Sequence, residues 1–392
     1  MDERLHAGDI IEISIEAVAF GGSGVGRVGG MVVFVPFTAA GDTVEAKIVE
    51  VKRSYCIGEI RKIITPSPDR VSPVCPHFSI CGGCQYQHIS YEVQLKIKEK
   101  QVAESFERIG KIASPPVRAV IPSPQVFNYR GKADFHCVPG VDGQLTLGFM
   151  DTGGGRLVDI QRCDIVDESI NMEYRRLREM LSSGKITSRR KRYILWSETA
   201  YPPEKYITRR AGGKELRITN SGFFQGNLSL VDTLTQRVID MCDLKESDTV
   251  LDCYCGCGLF SLSIAPHVRK VTGMEIDGSA VECATYNAGK YGITNTDFYK
   301  GNVKSILGRL IRKGARADII LVDPPRTGCS RKTLSGLAGL KPERIIYISC
   351  NPATQARDIS SLIDMGFRLE ELQPIDMFPQ TKHIEVIASL VR

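Results

Sequence analysis

The stretch Thr249-Val250-Leu251-Asp252-Cys253-Tyr254-Cys255-Gly256-Cys257-Gly258 decides the fold of the C-terminal half of the chain. An apolar run that ends in an acid and a glycine-rich turn is typical of a buried parallel strand whose carboxyl end meets a ligand cleft. The mostly apolar run Leu259–Ile264 follows and indicates a helix. Strand, turn and helix together predict the first unit of a nucleotide-binding α/β sheet.

A second acid, Glu275, ends the next apolar strand, 23 residues beyond Asp252. A nucleotide-binding βαβ unit places its ribose-binding carboxylate at about this distance. The Gly-x-Gly turn lacks the third glycine of a dinucleotide site and follows an acid, which disfavours NAD. Asp-x-x-x-Gly-x-Gly is typical of S-adenosylmethionine sites, so Asp252, Gly256, Gly258 and Glu275 are predicted to bind that cofactor.

Further strand and helix patterns continue to the C-terminus. The run Asp318–Val322 ends in Asp323-Pro324-Pro325-Arg326, a motif that methyltransferases use beside the methyl group. Counting from Val250 gives seven strands, the last over 384–391. The sequence therefore predicts a doubly wound, Rossmann-like sheet of seven strands with an antiparallel edge.

Cys350 and Glu385 are candidates for covalent chemistry. Cys350 follows the apolar run Ile345–Ile348, and Glu385 begins the last apolar run. A thiol at the carboxyl end of a strand is a candidate nucleophile, and a carboxylate at the same edge could serve as its base. The alternative for an isolated cysteine is a buried structural residue.

Length and composition limit the class of protein. A chain of 392 residues predicts two or three domains, and 42% hydrophobic with 24% charged residues describes a soluble globular protein. There is no apolar run of about 18 residues and no signal-like N-terminus, so we expect a cytoplasmic protein without a membrane span. Thirteen cysteines are then expected to be thiols, metal ligands or catalysts rather than disulfides.

Positive charge is concentrated in residues 171–217, where thirteen Lys and Arg stand against five acids. The densest part is the run Arg189, Arg190, Lys191, Arg192, which we predict to contact the substrate. Such a patch fits a polyanion, with nucleic acid the leading candidate, although a solvated surface segment is the alternative.

The N-terminal residues 8–63 alternate apolar and polar side chains at the strand period, with glycine-rich turns between the runs. The glycines at 21–26 precede no Lys-Ser/Thr and no helix, so they indicate a β-turn rather than a phosphate loop. This segment resembles the TRAM module, a small RNA-binding β-barrel found on RNA-modifying enzymes.

Four cysteines form a separate motif. Cys75, Cys81 and Cys84 are closely spaced with glycines between the last two, and Cys163 lies about eighty residues later. This spacing predicts a metal site but leaves an iron–sulfur cluster and zinc both open.

The segment between these cysteines combines a helix with strands. Residues 91–110 predict an amphipathic helix with Leu95, Val102, Phe106 and Ile109 inward and several lysines outward. Residues 117–170 return to strand-and-turn character and close around Cys163. The cysteine motif and these strands are therefore expected to form one central domain.

Taken together, these motifs resemble the RNA uracil-C5 methyltransferases that carry an iron–sulfur cluster, the group of ribosomal and T-loop 5-methyluridine enzymes. The resemblance covers essentially the whole chain. Its most specific parts are Phe223–Asn227, Asp323–Arg326, Ser349–Pro352 and His383–Glu385. It implies a TRAM-like barrel over 1–65, a central cluster domain over 66–210 and a methyltransferase domain over 211–392.

The resemblance also implies roles for single residues. Cys350 corresponds to the nucleophile and Glu385 to the base, while Cys75, Cys81, Cys84 and Cys163 correspond to ligands of a 4Fe–4S cluster. The remaining positions correspond to the contacts of S-adenosylmethionine: Gln225, Tyr254, Glu275, Asn302 and Asp323. Phe223 or Phe224 could pack against a base that has left its stack, with core packing as the alternative for both.

The expected protein is a monomeric enzyme that forms 5-methyluridine in RNA, with 23S ribosomal RNA as the expected substrate and the transfer-RNA T-loop as the alternative. Two other classes compete. A cytosine-C5 methyltransferase would also use a cysteine, but with an acid to protonate cytosine N3. A non-catalytic, cluster-bearing RNA-binding protein would not need Cys350 together with Glu385.

Overall fold

The computed structural model describes residues 5–139, 145–186 and 191–392, and the chain divides into two compact units. Unit 1 holds the chain up to Gln101, Gln125–Glu198 and Phe378–His383. Unit 2 holds Val102–Pro124, Thr199–Met377 and Ile384–Arg392. The chain therefore passes between the units five times.

Unit 1 begins with a six-stranded sheet in the order β1-β5-β6-β4-β3-β2. Alternate residues such as Val33, Val35, Val44, Ala46 and Ile48 form its core, because the strand period places them on one face. The predicted small β domain at the N-terminus is confirmed. Its strands are β1 Ile10–Ser14, β2 Ala17–Val18, β3 Ser23–Val28, β4 Met31–Pro36, β5 Thr43–Val51 and β6 Tyr55–Thr65.

The rest of unit 1 contains a four-stranded sheet in the order β10-β7-β8-β9 and a covering helix, α2. Tyr174 of α2 packs against Phe135 with ring centroids 4.4 Å apart and planes tilted by 37°, which anchors the helix on the sheet. The elements are strands β7 Lys132–Pro139, β8 Leu145–Met150 and β9 Leu157–Asp159, helix α2 Glu168–Ser182 and strand β10 Arg192–Trp196. Helix α1, Tyr91–Arg108, belongs to unit 1 up to Gln101 and to unit 2 from Val102.

Helix α1 forms where the sequence predicts it, but its buried face differs from the prediction. Val102 and Phe106 are fully buried, as expected, and Leu95 is half-buried. Ile109 lies beyond the last turn and is 46% exposed, and Lys98, predicted to point outward, is fully buried. Lys98 is accommodated because its Nζ donates to the Phe378 carbonyl at 3.1 Å.

Unit 2 is built on a seven-stranded sheet in the order β15-β14-β13-β16-β17-β19-β18. Neighbours from β15 to β17 are parallel, and β19 is antiparallel to both β17 and β18. The prediction of a doubly wound sheet with an antiparallel edge is confirmed. Its strands are β13 Thr249–Cys253, β14 Lys270–Glu275, β15 Thr296–Lys300, β16 Ile319–Val322, β17 Arg344–Ser349, β18 Arg368–Ile375 and β19 Glu385–Val391.

A hairpin and six helices accompany this sheet. The hairpin strands are β11 Tyr206–Ala211 and β12 Lys214–Thr219, and the helices are α3 Val231–Cys242, α4 Leu259–Ile264, α5 Gly278–Lys290, α6 Val303–Arg312, α7 Arg331–Gly339 and α8 Pro352–Asp364. Short 3₁₀ turns occur at Leu228–Leu230 and Ala265–His267. In the described ranges, the helices lack the combination of length and hydropathy needed to cross a bilayer.

The strand order locates the site. After β13 the chain winds to one side through β14 and β15, then returns to the other side of β13 with β16. In an open α/β sheet, a ligand cleft lies outside the carboxyl ends of the strands where the winding reverses. The turn at Tyr254–Gly258 and the motif starting at Asp323 follow the two strands that meet at this reversal.

Candidate active site

The turn after β13 carries a fixed carboxylate. Glu275 accepts hydrogen bonds from the amides of Gly256 at 3.2 Å, Ile276 at 2.7 Å and Asp277 at 2.9 Å. Tyr254, Gly256 and Gly258 all have positive φ angles, of 70°, 54° and 89°. This left-handed path brings the turn close to the half-buried Glu275, whose carboxylate can accept hydrogen bonds from a ribose.

Two further carboxyls lie in low-dielectric surroundings next to this turn. Asp252 is 1% exposed and accepts from Ser261 Oγ at 2.6 Å, and burial raises its pKa to about 6. Burial, followed by the charges of Asp252 and Glu275, raises the pKa of Asp323 to about 7. Asp252 and Asp323 therefore hold their protons more tightly than carboxyls in water do.

Cys350 and Glu385 meet at the end of the antiparallel pair β17 and β19. Ser349 pairs with Val386 in the register, so Cys350, which directly follows β17, faces Glu385, the first residue of β19. Burial and then the Glu385 charge raise the pKa of the Cys350 thiol, while Arg326 opposes them by its charge and a hydrogen bond. Glu385 is 6% exposed, and burial followed by the Asp323 charge raises its pKa well above the usual range.

The loop after β17 holds Arg326 in place. Asn351 Nδ2 and Thr354 Oγ1 both donate to the Arg326 carbonyl, at 3.2 and 3.1 Å. Asn351 Oδ1 also caps α8 by accepting from the Ala353 amide at 3.1 Å. Arg326 lies in the Asp323–Arg326 motif, but the sequence alone predicts no part for it in the chemistry. One feature of the sequence could have indicated a role for Arg326. It is a cation three residues after Asp323, in the same motif at the end of a strand.

The other predicted contacts of cofactor and substrate differ in exposure. Gln225 is 7% exposed, and Asn302 is exposed at the N-terminus of α6. Phe223 is 72% exposed while its neighbour Phe224 is 4% exposed, so Phe224 packs in the protein and Phe223 is open to a partner. The roles of these residues stay predictions.

The four predicted cluster cysteines line one cavity in unit 1. Cys75, Cys81, Cys84 and Cys163 surround a space of about 310 Å³. Burial raises the pKa of the Cys75 and Cys163 thiols to about 11. In the described parts of the chain, no three His, Cys, Asp or Glu side chains form a group that could hold a single metal ion.

The backbone at these cysteines is held by amide side chains. The Cys75 amide donates to Gln87 Oε1 at 3.0 Å. Asn171 clamps Cys163 from both sides, because its Oδ1 accepts from the Cys163 amide at 2.9 Å and its Nδ2 donates to the Cys163 carbonyl at 3.1 Å. The cavity is thus held open by α2 and by the residues after Cys84.

The predicted basic patch is less positive than its residue count indicates. Arg189 and Arg190 lie outside the described residues, and Lys191 is exposed. Arg192 pairs with Asp134 across β10 and β7. Arginines of α2 are also paired with acids: Arg175 with Glu168, Arg176 with Glu173 and Arg178 with Asp159. Three of these acids, Asp134, Asp159 and Glu168, lie outside residues 171–217, so they offset three positive charges of the local excess.

Comparison with known proteins agrees with this arrangement. The profile of the family described as tRNA (uracil-5-)-methyltransferase matches residues 208–392, and that of the TRAM domain matches residues 4–60. A protein of Halalkalibacterium halodurans described as an uncharacterized RNA methyltransferase is 33% identical, covering 98% of each chain. A similarly described protein of Chlorobaculum tepidum is 32% identical over 99% of this chain and 98% of its own.

A solved structure shares the fold. It is described as Pyrococcus abyssi tRNA (uracil-54, C5)-methyltransferase in complex with S-adenosyl-L-homocysteine, with a TM-score of 0.76 and 24% identity, covering 97% of this chain and 100% of that one. The strand-end site and the full-length relatives define an RNA methyltransferase. The chain belongs to the tRNA (uracil-5-)-methyltransferase family and carries an N-terminal TRAM domain.

Proposed function

We propose that the protein methylates C5 of a uridine in RNA, with S-adenosylmethionine as the methyl donor. The observation that carries this proposal is the placement of Cys350 and Glu385 at the joined ends of β17 and β19, beside Asp323 and Arg326. A thiol, a buried carboxyl and a cation at one strand edge supply the groups that addition to an electron-poor ring needs.

The cofactor would be held by the turn after β13. Glu275 is fixed by three backbone amides and can accept hydrogen bonds from the ribose hydroxyls, while the glycines allow close approach of the backbone. When bound, S-adenosylmethionine supplies an electrophilic methyl group. Gln225, Tyr254, Asn302 and Asp323 are the further residues we assign to this site, with Asp252, Gly256 and Gly258 shaping its floor.

The first covalent step belongs to Cys350. Its thiolate adds to uracil C6, and the C5=C6 electron pair moves to C5 and the C4 oxygen as an enolate. C5 is then nucleophilic enough to accept the methyl group. Arg326 favours this step because its charge and hydrogen bond stabilise the thiolate against the burial that raises the pKa of Cys350.

Glu385 would complete the reaction. After methylation, C5 still carries its hydrogen; the Glu385 carboxylate takes that proton, the C–H pair re-forms C5=C6, and the C6–S bond breaks to release Cys350. A carboxyl whose pKa is raised by burial is a stronger base once ionised, which suits proton removal near neutral pH. Phe223, open to a partner, would pack against the flipped base.

We further propose that Cys75, Cys81, Cys84 and Cys163 hold a 4Fe–4S cluster. The four half-buried cysteines help to line a cavity of about 310 Å³, which has room for a multi-atom group, whereas a single ion would need the ligands to converge on a point. Bound there, the cluster would cross-link the loop from Cys75 to Cys84 with the segment before α2. Its role would be structural.

The mechanism is tested by replacing each of the two catalytic groups in turn and comparing which RNA–protein species accumulates. Cys350→Ala should abolish both methyl transfer and any covalent RNA–protein species. Glu385→Gln should still attack and methylate but stall before elimination, trapping an adduct that survives denaturing electrophoresis and carries label from the cofactor methyl. Normal turnover by Glu385→Gln would mean that another base acts, and activity in Cys350→Ala would exclude the covalent mechanism.

The substrate is tested by mass mapping of 5-methyluridine in total RNA with and without the protein. We propose 23S ribosomal RNA, and the family description favours transfer RNA as the second candidate. The RNA that lacks this 5-methyluridine when the protein is absent is the substrate. Label in cytosine would instead indicate the cytosine-C5 class, and no label in any RNA would indicate a non-catalytic RNA-binding protein.

A further inference from the structure

The connection between β18 and β19 is held in unit 1, although both strands belong to unit 2. This connection includes Phe378–His383, which we call the strap. It ends immediately before Ile384 and Glu385, the residue proposed as the base. What holds the strap therefore acts on the chain next to that base.

The strap is paired with the residues that follow Cys84. The Gln380 carbonyl accepts from the amides of both Gln85 and Tyr86, each at 3.0 Å. The Gln85 side chain also accepts from the Lys382 amide at 3.1 Å. Three hydrogen bonds thus join the strap to two consecutive residues.

Helix α1 holds the strap from another direction through a reciprocal amide pair. Gln94 Nε2 donates to Gln380 Oε1 at 3.0 Å, and the Gln380 amide donates to Gln94 Oε1 at 3.1 Å. Gln94 is 1% and Gln380 4% exposed, so each bond is shielded from water. Gln380 has a φ of 68°, a left-handed conformation that a non-glycine residue keeps only where its surroundings enforce it.

Two further bonds complete the attachment. Lys98 Nζ donates to the Phe378 carbonyl at 3.1 Å, and the Tyr129 hydroxyl donates to the Pro379 carbonyl at 2.9 Å. The first of these explains why a lysine is fully buried on α1. Backbone groups of four strap residues are therefore bound by unit 1: Phe378, Pro379, Gln380 and Lys382.

The same contacts continue into residues 75–84, which we call the cysteine loop. Gln85 directly follows Cys84, and its Nε2 donates to the Gly82 carbonyl at 2.9 Å. Gly82 and Gly83 separate Cys81 from Cys84. One side chain therefore bonds both to the turn between two candidate cluster ligands and to the strap.

Glu385 depends on the strap because it is the first residue of β19. It pairs with Ile375 of β18 at the very end of the ladder, where no preceding pair fixes the strand. Val386, the next residue, pairs on both sides, with Ser349 of β17 and Pro374 of β18, so the register of β19 is fixed from there onward. The conformation of Glu385 itself therefore depends on the path of the chain that enters it from the strap.

We propose that Gln94 and Gln380 are positioning residues for Glu385, and that the cysteine loop controls this position through Gln85. The inference rests on the proposed function of Glu385 as the base that releases Cys350. It assigns the cysteine loop a defined catalytic purpose, which is to keep the base at the strand end facing the thiol.

The test compares Gln94→Ala and Gln380→Ala with a matched control, Gln101→Ala. Gln101 lies on α1, is 2% exposed, and donates to the Val18 and Ala19 carbonyls and to the Tyr86 hydroxyl. Single-turnover methyl transfer and release of methylated RNA are measured separately, together with the labelled covalent adduct on a denaturing gel. Glu385→Gln serves as the reference for a fully stalled elimination.

In Gln94→Ala and Gln380→Ala we expect release to slow about tenfold, the factor in rate that one misplaced hydrogen-bonded contact gives, with labelled adduct accumulating. Methyl transfer should change less than release, and Gln101→Ala should accumulate no adduct. If adduct accumulates in Glu385→Gln but in neither Gln94→Ala nor Gln380→Ala, the positioning inference is wrong while the proposed mechanism stands. No adduct in Glu385→Gln would instead overturn the proposed mechanism, and equal adduct in Gln101→Ala would overturn the positioning role by showing a general loss of stability.

The link to the cysteine loop is tested without any activity. Hydrogen exchange of peptides covering residues 378–385 is compared between the wild type and Cys84→Ser. We expect faster exchange at the Gln380 and Lys382 amides in Cys84→Ser, because their acceptors lie on Gln94 and Gln85. Unchanged protection of this peptide would show that the strap does not depend on the cysteine loop.

Discussion

Asp252→Asn should make unit 2 more stable at neutral pH while leaving its stability at pH 4 nearly unchanged. Asp252 is 1% exposed, and burial raises its pKa from 3.8 to about 6. The folded protein therefore binds the proton more tightly than the unfolded chain. An asparagine stays neutral at every pH and can still accept the hydrogen bond from Ser261 Oγ, which lies 2.6 Å from the carboxylate.

The magnitude follows from linkage. A carboxyl whose folded pKa is raised contributes stability that is complete below the unfolded pKa and is lost as the pH rises through the folded value. The interval from 3.8 to about 6 corresponds to ~3 kcal/mol, at about 1.4 kcal/mol for each pKa unit. Asp252→Asn should keep this stability at every pH. The difference between its free energy of unfolding and that of the wild type should therefore grow between pH 4 and pH 7.

Urea unfolding at pH 4, 5.5 and 7, followed by circular dichroism, measures the difference in free energy of unfolding. Asp318→Asn is the matched control. Burial opposes ionisation of Asp318, but bonds from the Thr249 amide and hydroxyl, both at 2.7 Å, outweigh it and hold the pKa below 3.8. That control should be less stable than the wild type at pH 7. An advantage of Asp252→Asn that is independent of pH would refute the reasoning.

Other changes test the site more directly. Glu275→Ala should weaken S-adenosylmethionine binding by about 1.5–3 kcal/mol in calorimetry, the range for a hydrogen bond to a charged group; unchanged affinity would remove Glu275 from the site. Arg326→Met should move the rise of adduct formation with pH to higher pH, because Arg326 lowers the pKa of the Cys350 thiol; a rise at the same pH as in the wild type would contradict this. Purified protein should be brown and contain iron, and Cys163→Ser should lose it, whereas stoichiometric zinc without iron would exclude a cluster. Gly258→Ala should cost about 1 kcal/mol or more in thermal unfolding, because φ is 89° there; an unchanged midpoint would count against strain at this turn.

The sheet of unit 2 could be predicted because its information is local. Each strand is a short apolar run bounded by turn residues, and β16, Ile319–Val322, is buried at every position. The ends of strands in such a sheet meet at one edge. The order of the strands along the chain was therefore enough to predict that Asp323, Cys350 and Glu385 lie close together. Arg326 could not be given a role this way, since its contact with Cys350 depends on the path of a loop.

The buried face of α1 shows where sequence patterns give the wrong answer. A lysine is expected to lie in solvent because burying an unpaired charge is costly. Lys98 and Gln94 are buried because carbonyl and amide groups nearly 300 positions later in the chain satisfy them. Hydrogen-bond partners so far away in the sequence do not alter the pattern of apolar and polar residues around residue 98. A count of charges along the chain also misses that Arg192 pairs with Asp134 on another strand, while its contact with the substrate stays a prediction.

The order in which the chain is made has a consequence for unit 1. Most of this unit is synthesised before residue 199, yet it also includes Phe378–His383, near the C-terminus. Domains generally fold as units during synthesis from the N-terminus. Here a nascent chain stopped short of residue 378 lacks the strap groups that accept hydrogen bonds from Gln94 and Lys98 in the complete protein. Premature termination should therefore give a product that proteases remove, so that only complete chains survive to act on RNA.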